Sequence, residues 1–316
     1  MPDPIAPDRT PGRESSRGVG RNVDSGEEFV RIPAQTATLG SDHHYPEEAP
    51  AAAVTVEAFS IQTRQVTNAQ FAEFVAATGY VTIAERPLDP ADYPGAPPQN
   101  LQPGSMVFRR TAGPVDLTHL SQWWLWTPGA SWRHPVGPNS SIDKRAAHPV
   151  VHVAYADAQA YATWAGLTLP TEAQWEVAAR GGLEHTTYTW GEDPERPGER
   201  LANYWHGDFP WRPDPGYGRT TAVAGYPPNG YGLYDMAGNV WEWTTDWYGA
   251  TRDGQPCCAA DSVDPRQSQF AVPRRVVKGG SFLCADSYCL RYRPAARRPQ
   301  PVDTGMSHIG FRCIRP

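Results

Sequence analysis

No stretch of this chain approaches the roughly 20 consecutive apolar residues of a membrane span, and its first 28 residues contain no apolar segment of the signal-peptide type. These two absences make the cytoplasm the expected location and give no reason to expect a membrane partner. Runs of Lys or Arg with interleaved aromatics are missing too, and the formal net charge is -6, which argues against a nucleic-acid partner. Cysteine is scarce and odd in number, at five. Without an export signal such a set does not read as a disulfide framework, because the cytosol keeps thiols reduced. No internal repeat is visible, and 33 Pro and 29 Gly interrupt the chain too often for long helices or a solenoid.

What the chain does have is aromatic surface: 12 Trp, 14 Tyr and 9 Phe among 316 residues. That length can bury a sizeable core as one irregular domain or two small ones; the composition favours one loop-rich core stapled by aromatics. Residues 1–27, rich in Pro, Asp, Arg, Ser and Gly, bury too little surface to offset ordering entropy and read as a disordered tail. The folded region is expected over residues 28–316.

Three helices are marked by their caps. Thr67 with Gln70 forms a capping box ahead of Phe71, Phe74 and Val75, and Gly79 ends that helix. Residues 155–165 place Ala158, Tyr161 and Ala165 on one side and stop at Gly166. Thr171 with Gln174 opens a third helix, in which Trp175, Ala178 and Ala179 face inward before Gly181-Gly182. Val54 and Val56, then Phe59 and Ile61, alternate with polar neighbours as in a half-buried strand. Further strands are predicted over 276–282 and 311–314. Residues 86–122 read as a long surface loop or a linker between subdomains.

Cys284 and Cys289 are separated by five positions. On a helix their side chains would diverge by roughly 140°; a strand followed by a reversing loop brings them together. Gly279-Gly280 before the pair and Ala285-Asp286-Ser287 within it suit such a reversal. Two converging thiolates select soft ions such as Cu(I) and leave room for a third sulfur. The spacing equally suits a structural disulfide, half of a zinc site, or two unrelated core thiols.

The surrounding residues resemble one family. Asn229-Gly230-Tyr231-Gly232-Leu233-Tyr234-Asp235-Met236-Ala237-Gly238-Asn239-Val240-Trp241-Glu242-Trp243, then Gly279-Gly280-Ser281-Phe282-Leu283-Cys284-Ala285-Asp286-Ser287-Tyr288-Cys289, Arg291-Tyr292-Arg293 and Gly310-Phe311-Arg312-Cys313 resemble the formylglycine-generating enzymes (sulfatase-modifying factors) in order and spacing. Upstream, Leu169-Pro170-Thr171-Glu172 with Trp175-Glu176, and Ala178-Ala179-Arg180-Gly181-Gly182, resemble the same family. The resemblance implies an irregular α+β fold similar to C-type lectins. It implies an oxidoreductase that uses molecular oxygen to convert a cysteine in a C-x-P-x-R segment of an unfolded sulfatase to Cα-formylglycine. The rival reading is a catalytically silent binding module of the same fold, with the cysteine pair as a disulfide.

By the same resemblance Cys284 and Cys289 hold Cu(I), Ser281 lies beside the substrate sulfur, and Tyr288 and Trp241 shape the pocket. Calcium is implied at the Asp235 and Glu242 side chains with the Gly238 and Val240 carbonyls. A second calcium site is implied at Asn203, the Tyr204 carbonyl and an acid between Asp214 and Tyr217. Without the resemblance, Asp235 and Glu242 read as solvated residues. The substrate's arginine calls for an acid that the sequence does not place. Departures from the family pattern fall at Leu167-Thr168, at Gln174 and in the opening Pro33-Ala34-Gln35-Thr36-Ala37-Thr38-Leu39-Gly40. His148 and His152 read as core or hydrogen-bonded residues, and the His43-His44 and Glu47-Glu48 group as a solvated loop. Cys257, Cys258 and Cys313 read as structural or incidental. A monomer is the default expectation.

Overall fold

The computed structural model describes residues 29–91, 93–196, 198–254, 258–266 and 272–315; the tail expected over 1–27 and Cys257 lie outside them. In chain order the strands and helices are β1 (Phe29–Ile32), β2 (Gln35–Leu39), β3 (Ala52–Val56), β4 (Phe59–Gln62), α1 (Asn68–Thr78), β5 (Gly104–Phe108), β6 (Trp124–Pro128), α2 (Tyr155–Trp164), α3 (Glu172–Arg180), β7 (Gly207–Asp208), β8 (Arg212–Pro213), β9 (Trp241–Trp247), β10 (Arg274–Lys278), β11 (Arg297–Pro301), β12 (Ile309–Gly310) and β13 (Ile314–Arg315). The largest sheet has the order β11-β10-β9-β12, and a three-stranded sheet has the order β1-β4-β13.

The helix caps form as their residues dictate. In α1 the Gln70 amide donates to the Thr67 hydroxyl and the Thr67 amide to the Gln70 side chain; Thr171 and Gln174 repeat the exchange in α3. Gly79 and Gly181 close these helices with φ of 68° and 61°, the left-handed turn that glycine adopts without steric cost. α2 has no Ser or Thr cap. Asp157, three positions in, instead accepts the Ala154 amide at 2.8 Å.

Two apolar clusters make the core. One gathers Phe71, Trp123, Trp132, Tyr161, Trp241, Trp243 and Phe311 and includes both Cys284 and Cys289; the other gathers Ile32, Leu39, Ile61, Trp175 and Ile314. Buried ion pairs run through the molecule. Glu242 meets Arg312, Glu172 meets Arg297 and Lys278, Glu176 meets Arg180, Arg252 and Lys278, and Glu48 meets Arg293.

Several sequence readings need correction. The strand expected over 276–282 ends at Lys278, because Gly279 and Gly280 turn the chain with φ of 92° and 74°. The strand expected over 311–314 is two short pieces, β12 and β13, flanking residues 311–313. Val54 to Ile61 is two strands, and residues 86–122 contain β5 and short helical turns. Glu48 is buried against Arg293 and Glu47 pairs with Arg291, so that acidic pair is structural. Asp235 and Glu242, solvated on composition alone, are both buried; the partners of Glu242 are too distant in sequence to be read from it.

Candidate functional site

The turn at Gly279-Gly280 delivers the cysteine loop. A Cβ on Gly279 would stand 2.9 Å from the Trp175 ring and one on Gly280 2.8 Å from the Tyr292 backbone, so both positions exclude a side chain. The Phe282 amide then donates to the Asn239 carbonyl, the Leu283 amide to the Ser281 hydroxyl, and the Cys284 amide to the Ser281 carbonyl. The Cys289 amide closes the loop onto the Ala285 carbonyl. The result is the reversal that the spacing required, with the two sulfurs 3.4 Å apart and both cysteines buried. A disulfide bond is about 2.0 Å long; these are free thiols in contact.

The pair is electrostatically unequal. The contact with Cys284 first, then the Arg291 and Arg298 guanidiniums, lowers the Cys289 pKa. Burial first, then Cys289, raises that of Cys284.

Ser281, Tyr288 and Trp241 line one small pocket with both thiols, as do Trp123, Trp124, Phe209, Leu283, Arg298 and His308. Tyr288 stacks on Phe209 at 4.7 Å and meets the Trp123 edge at 5.7 Å. Trp241 is held by its amide bond to the His308 carbonyl. Sequence reasoning did not single out Arg298 or His308: an Arg-Arg-Pro run and an isolated histidine carry no local signal. His308 is fully enclosed, its Nδ1 has no hydrogen-bond partner, and burial lowers its pKa, so it presents a neutral ring. His152, by contrast, donates and accepts within the core through Ser105 and the Pro135 carbonyl.

The residues expected at the two calcium sites adjoin each other. Asn203 bridges to Gly238 and its carbonyl accepts the Asn239 amide. The Asn203 and Asp235 Oδ1 atoms are both buried without a hydrogen-bond partner. Oxygen acceptors orphaned in this way are costly unless something occupies them. Asp235 Oδ2 accepts the Ala224 amide at 2.7 Å, and burial raises the carboxyl pKa to about 6. Glu242 is differently placed. Its oxygens accept from Arg312 twice, from Trp175 Nε1 and from Gln65, and Gln65 also donates to the Val240 carbonyl. Asp214 is exposed on a turn, its amide donating to the His206 carbonyl, and the Tyr217 amide donates to the Asp214 carbonyl. Among the described residues no three His, Cys, Asp or Glu side chains converge as a metal cage would.

A second cavity, of about 410 Å³, is lined by Ala84, Leu88, Tyr93, Met106 and Trp126, with Asp303 the one acid among the described lining residues. Trp126 and Trp124 stand two apart on β6 and so share a face, one lining this cavity and the other the thiol pocket. The segment from Asp303 to His308 likewise touches both.

Residues 16–316 match the family described as "Sulfatase-modifying factor enzyme 1-like domain". The chain is 57% identical over 298 residues to a formylglycine-generating enzyme of Mycobacterium tuberculosis, covering 91% of this chain and 97% of that one. It is 36% identical to a Mus musculus protein named "Inactive C-alpha-formylglycine-generating enzyme 2", covering 90% and 84%. Its backbone superposes on the structure of PvdO from Pseudomonas aeruginosa with a TM-score of 0.61 at 22% identity, covering 91% and 94%. That likeness speaks to the fold alone, which is the loop-rich α+β type, similar to C-type lectins, that the motifs implied.

Proposed function

The chain belongs to the sulfatase-modifying factor enzyme 1-like family, and from that premise we propose that it oxidises a cysteine in C-x-P-x-R segments of unfolded sulfatases to Cα-formylglycine, using molecular oxygen. The observation that carries this reading is the pair of free thiols 3.4 Å apart in an aromatic pocket. A silent module with a disulfide would hold the sulfurs in bonding distance. Monomeric action in the cytoplasm belongs to the same proposal; among the described residues no helix is long and apolar enough to cross a membrane.

Two adjacent buried sulfurs form a donor set suited to Cu(I). Bound there, the ion would supply the one-electron chemistry that lets ground-state oxygen react with a closed-shell thiol. The protein's own residues do the rest. The aromatic walls of Trp123, Trp241 and Tyr288 exclude water, Ser281 presents a hydroxyl within the pocket, and the Gly279-Gly280 turn fixes where the sulfurs stand. Incubating metal-loaded protein with oxygen and a C-x-P-x-R peptide tests the reading by mass and hydrazide capture. An aldehyde is expected, and its absence from a folded, loaded sample overturns the proposal.

The second cavity suits the rest of the substrate. An extended peptide advances about 3.3 Å per residue, so an arginine four positions on lies about 13 Å from the cysteine. Apolar walls suit the proline, and Asp303 is the acid for the arginine. Asp303→Asn is expected to raise the peptide KM by roughly tenfold, the loss of one charge-assisted contact, and to leave kcat little changed. An unaltered KM would remove Asp303 from the substrate site.

The orphaned oxygens of Asp235 and of Asn203 each suit a hard cation, and calcium is proposed at both sites. Free of metal, Asp235 has a folded pKa near 6 against an unfolded value of 3.8. Its contribution to stability is therefore full below pH 3.8 and lost as pH rises through 6. Calcium replaces the proton above that range. Millimolar calcium is expected to raise the melting temperature at pH 7.5, by about 2.7 kcal/mol of stability at a hundredfold excess over Kd, and to do much less at pH 5. An equal effect at both pH values would show that Asp235 is not the ligand.

A further inference from the structure

Six aromatic rings form a column whose third member, Tyr292, follows the cysteine loop, and which reaches partly exposed residues at both ends. Trp190 lies on Tyr188 at 4.9 Å and 3°, Tyr188 on Tyr292 at 5.8 Å and 17°, and Tyr292 on Tyr204 at 4.0 Å and 13°. Tyr204 continues to His206 at 4.1 Å, and His206 to Tyr217 at 4.0 Å. Trp190, His206 and Tyr217 are half-buried; the three central tyrosines are buried. Buried aromatic pairs settle readily edge to face. The core around Phe71 mixes both arrangements, with Phe74 at 67°, Trp132 at 73° and Tyr161 at 17°, whereas the column is near-parallel over three successive contacts.

The middle of the column belongs to the reactive loop. Tyr292 follows Cys289 by three residues, at most about 11 Å of chain. Tyr204 precedes Trp205, whose amide donates to the Cys284 carbonyl at 2.7 Å. The Tyr292 hydroxyl donates to the Asp286 carboxylate, so a proton acceptor is already in place for phenol oxidation.

The proposed reaction needs electrons from outside. Converting a cysteine side chain and one oxygen molecule to an aldehyde, hydrogen sulfide and water consumes two electrons and two protons beyond those of the substrate. We propose that the column from Trp190 through Tyr188, Tyr292, Tyr204 and His206 to Tyr217 carries those two electrons into the pocket from a small thiol in solution. The inference rests on the oxidative reading of the site. In each transfer Tyr292 passes an electron inward and its phenolic proton to Asp286. An electron from the neighbouring rings refills Tyr292, and Asp286 returns the proton. At the surface ring a thiol is oxidised, losing one electron and one proton. Two such thiyl radicals combine to a disulfide, and the two protons they release match the two the pocket consumes.

Flash photo-oxidation of the metal-free protein, with ruthenium tris-bipyridine and a sacrificial acceptor, reads the column directly by electron paramagnetic resonance. Wild-type protein is expected to give a tyrosyl signal whose greater part is lost in Tyr292→Phe, which keeps the ring but has no phenolic proton to release. Tyr204→Phe serves as the second variant if Tyr292→Phe does not fold. In turnover, either variant is expected to raise the KM for the thiol reductant by roughly an order of magnitude while the peptide KM holds. An unchanged radical yield, or an unchanged reductant KM, overturns the relay and points to direct entry of the thiol. If wild-type protein makes no aldehyde, the functional reading fails, and the radical yield alone then decides whether the column conducts.

Discussion

Cys284→Ser and Cys289→Ser are each expected to abolish aldehyde formation while leaving a folded protein. Each sulfur is buried, but neither fills much of the core, and a serine hydroxyl can still hydrogen-bond within the pair. The structural cost is therefore about 1 kcal/mol, a melting shift of a few degrees at most. What serine lacks is a soft, ionisable donor. Two measurements check this: aldehyde yield by mass, and the thermal melt of the same sample. Residual turnover in either variant would show that one thiol suffices. Collapse of the fold in both would indicate that the pair is structural.

Arg312→Met is expected to destabilise the protein by about 3–5 kcal/mol, because it leaves the Glu242 carboxylate buried without its counter-charge. Arg312 donates to both Glu242 oxygens, at 2.7 and 2.8 Å, and also to the Tyr234 carbonyl at 2.9 Å. Removing both charges, as in Glu242→Leu with Arg312→Met, is expected to cost less than Arg312→Met alone. Denaturant titrations of the two singles and the double supply the comparison. A loss below about 1 kcal/mol for Arg312→Met would mean that Trp175 and Gln65 hold the carboxylate unaided.

The features legible in the sequence are those decided within a few residues. Thr67 with Gln70, and Thr171 with Gln174, announce helices because both halves of the cap lie three positions apart. The thiol loop is legible for the same reason, since a Gly pair before it and small residues within it leave few ways to arrange five positions. Glu242 reads as solvated on composition alone because its partners Arg312, Trp175 and Gln65 lie 70, 67 and 177 positions away, and Glu48 does so because Arg293 lies 245 away. A carboxylate on a strand gives no local sign of whether water or an arginine awaits it. Arg298 and His308 reach the thiol pocket from β11 and the start of β12, and only the sheet order β11-β10-β9-β12 brings those ends together.

The Gly279-Gly280 turn implies a class of loss-of-function change that touches no reactive group. An alanine at Gly280 would press on the Tyr292 backbone, and one at Gly279 on the Trp175 ring. Both residues already adopt backbone angles that side chains disfavour. The displacement would be transmitted along the loop to the two sulfurs, which stand 3.4 Å apart. A survey of variants confined to cysteines, serine and aromatics would therefore overlook the two positions at which the chain turns into the thiol loop while contributing no side chain of their own.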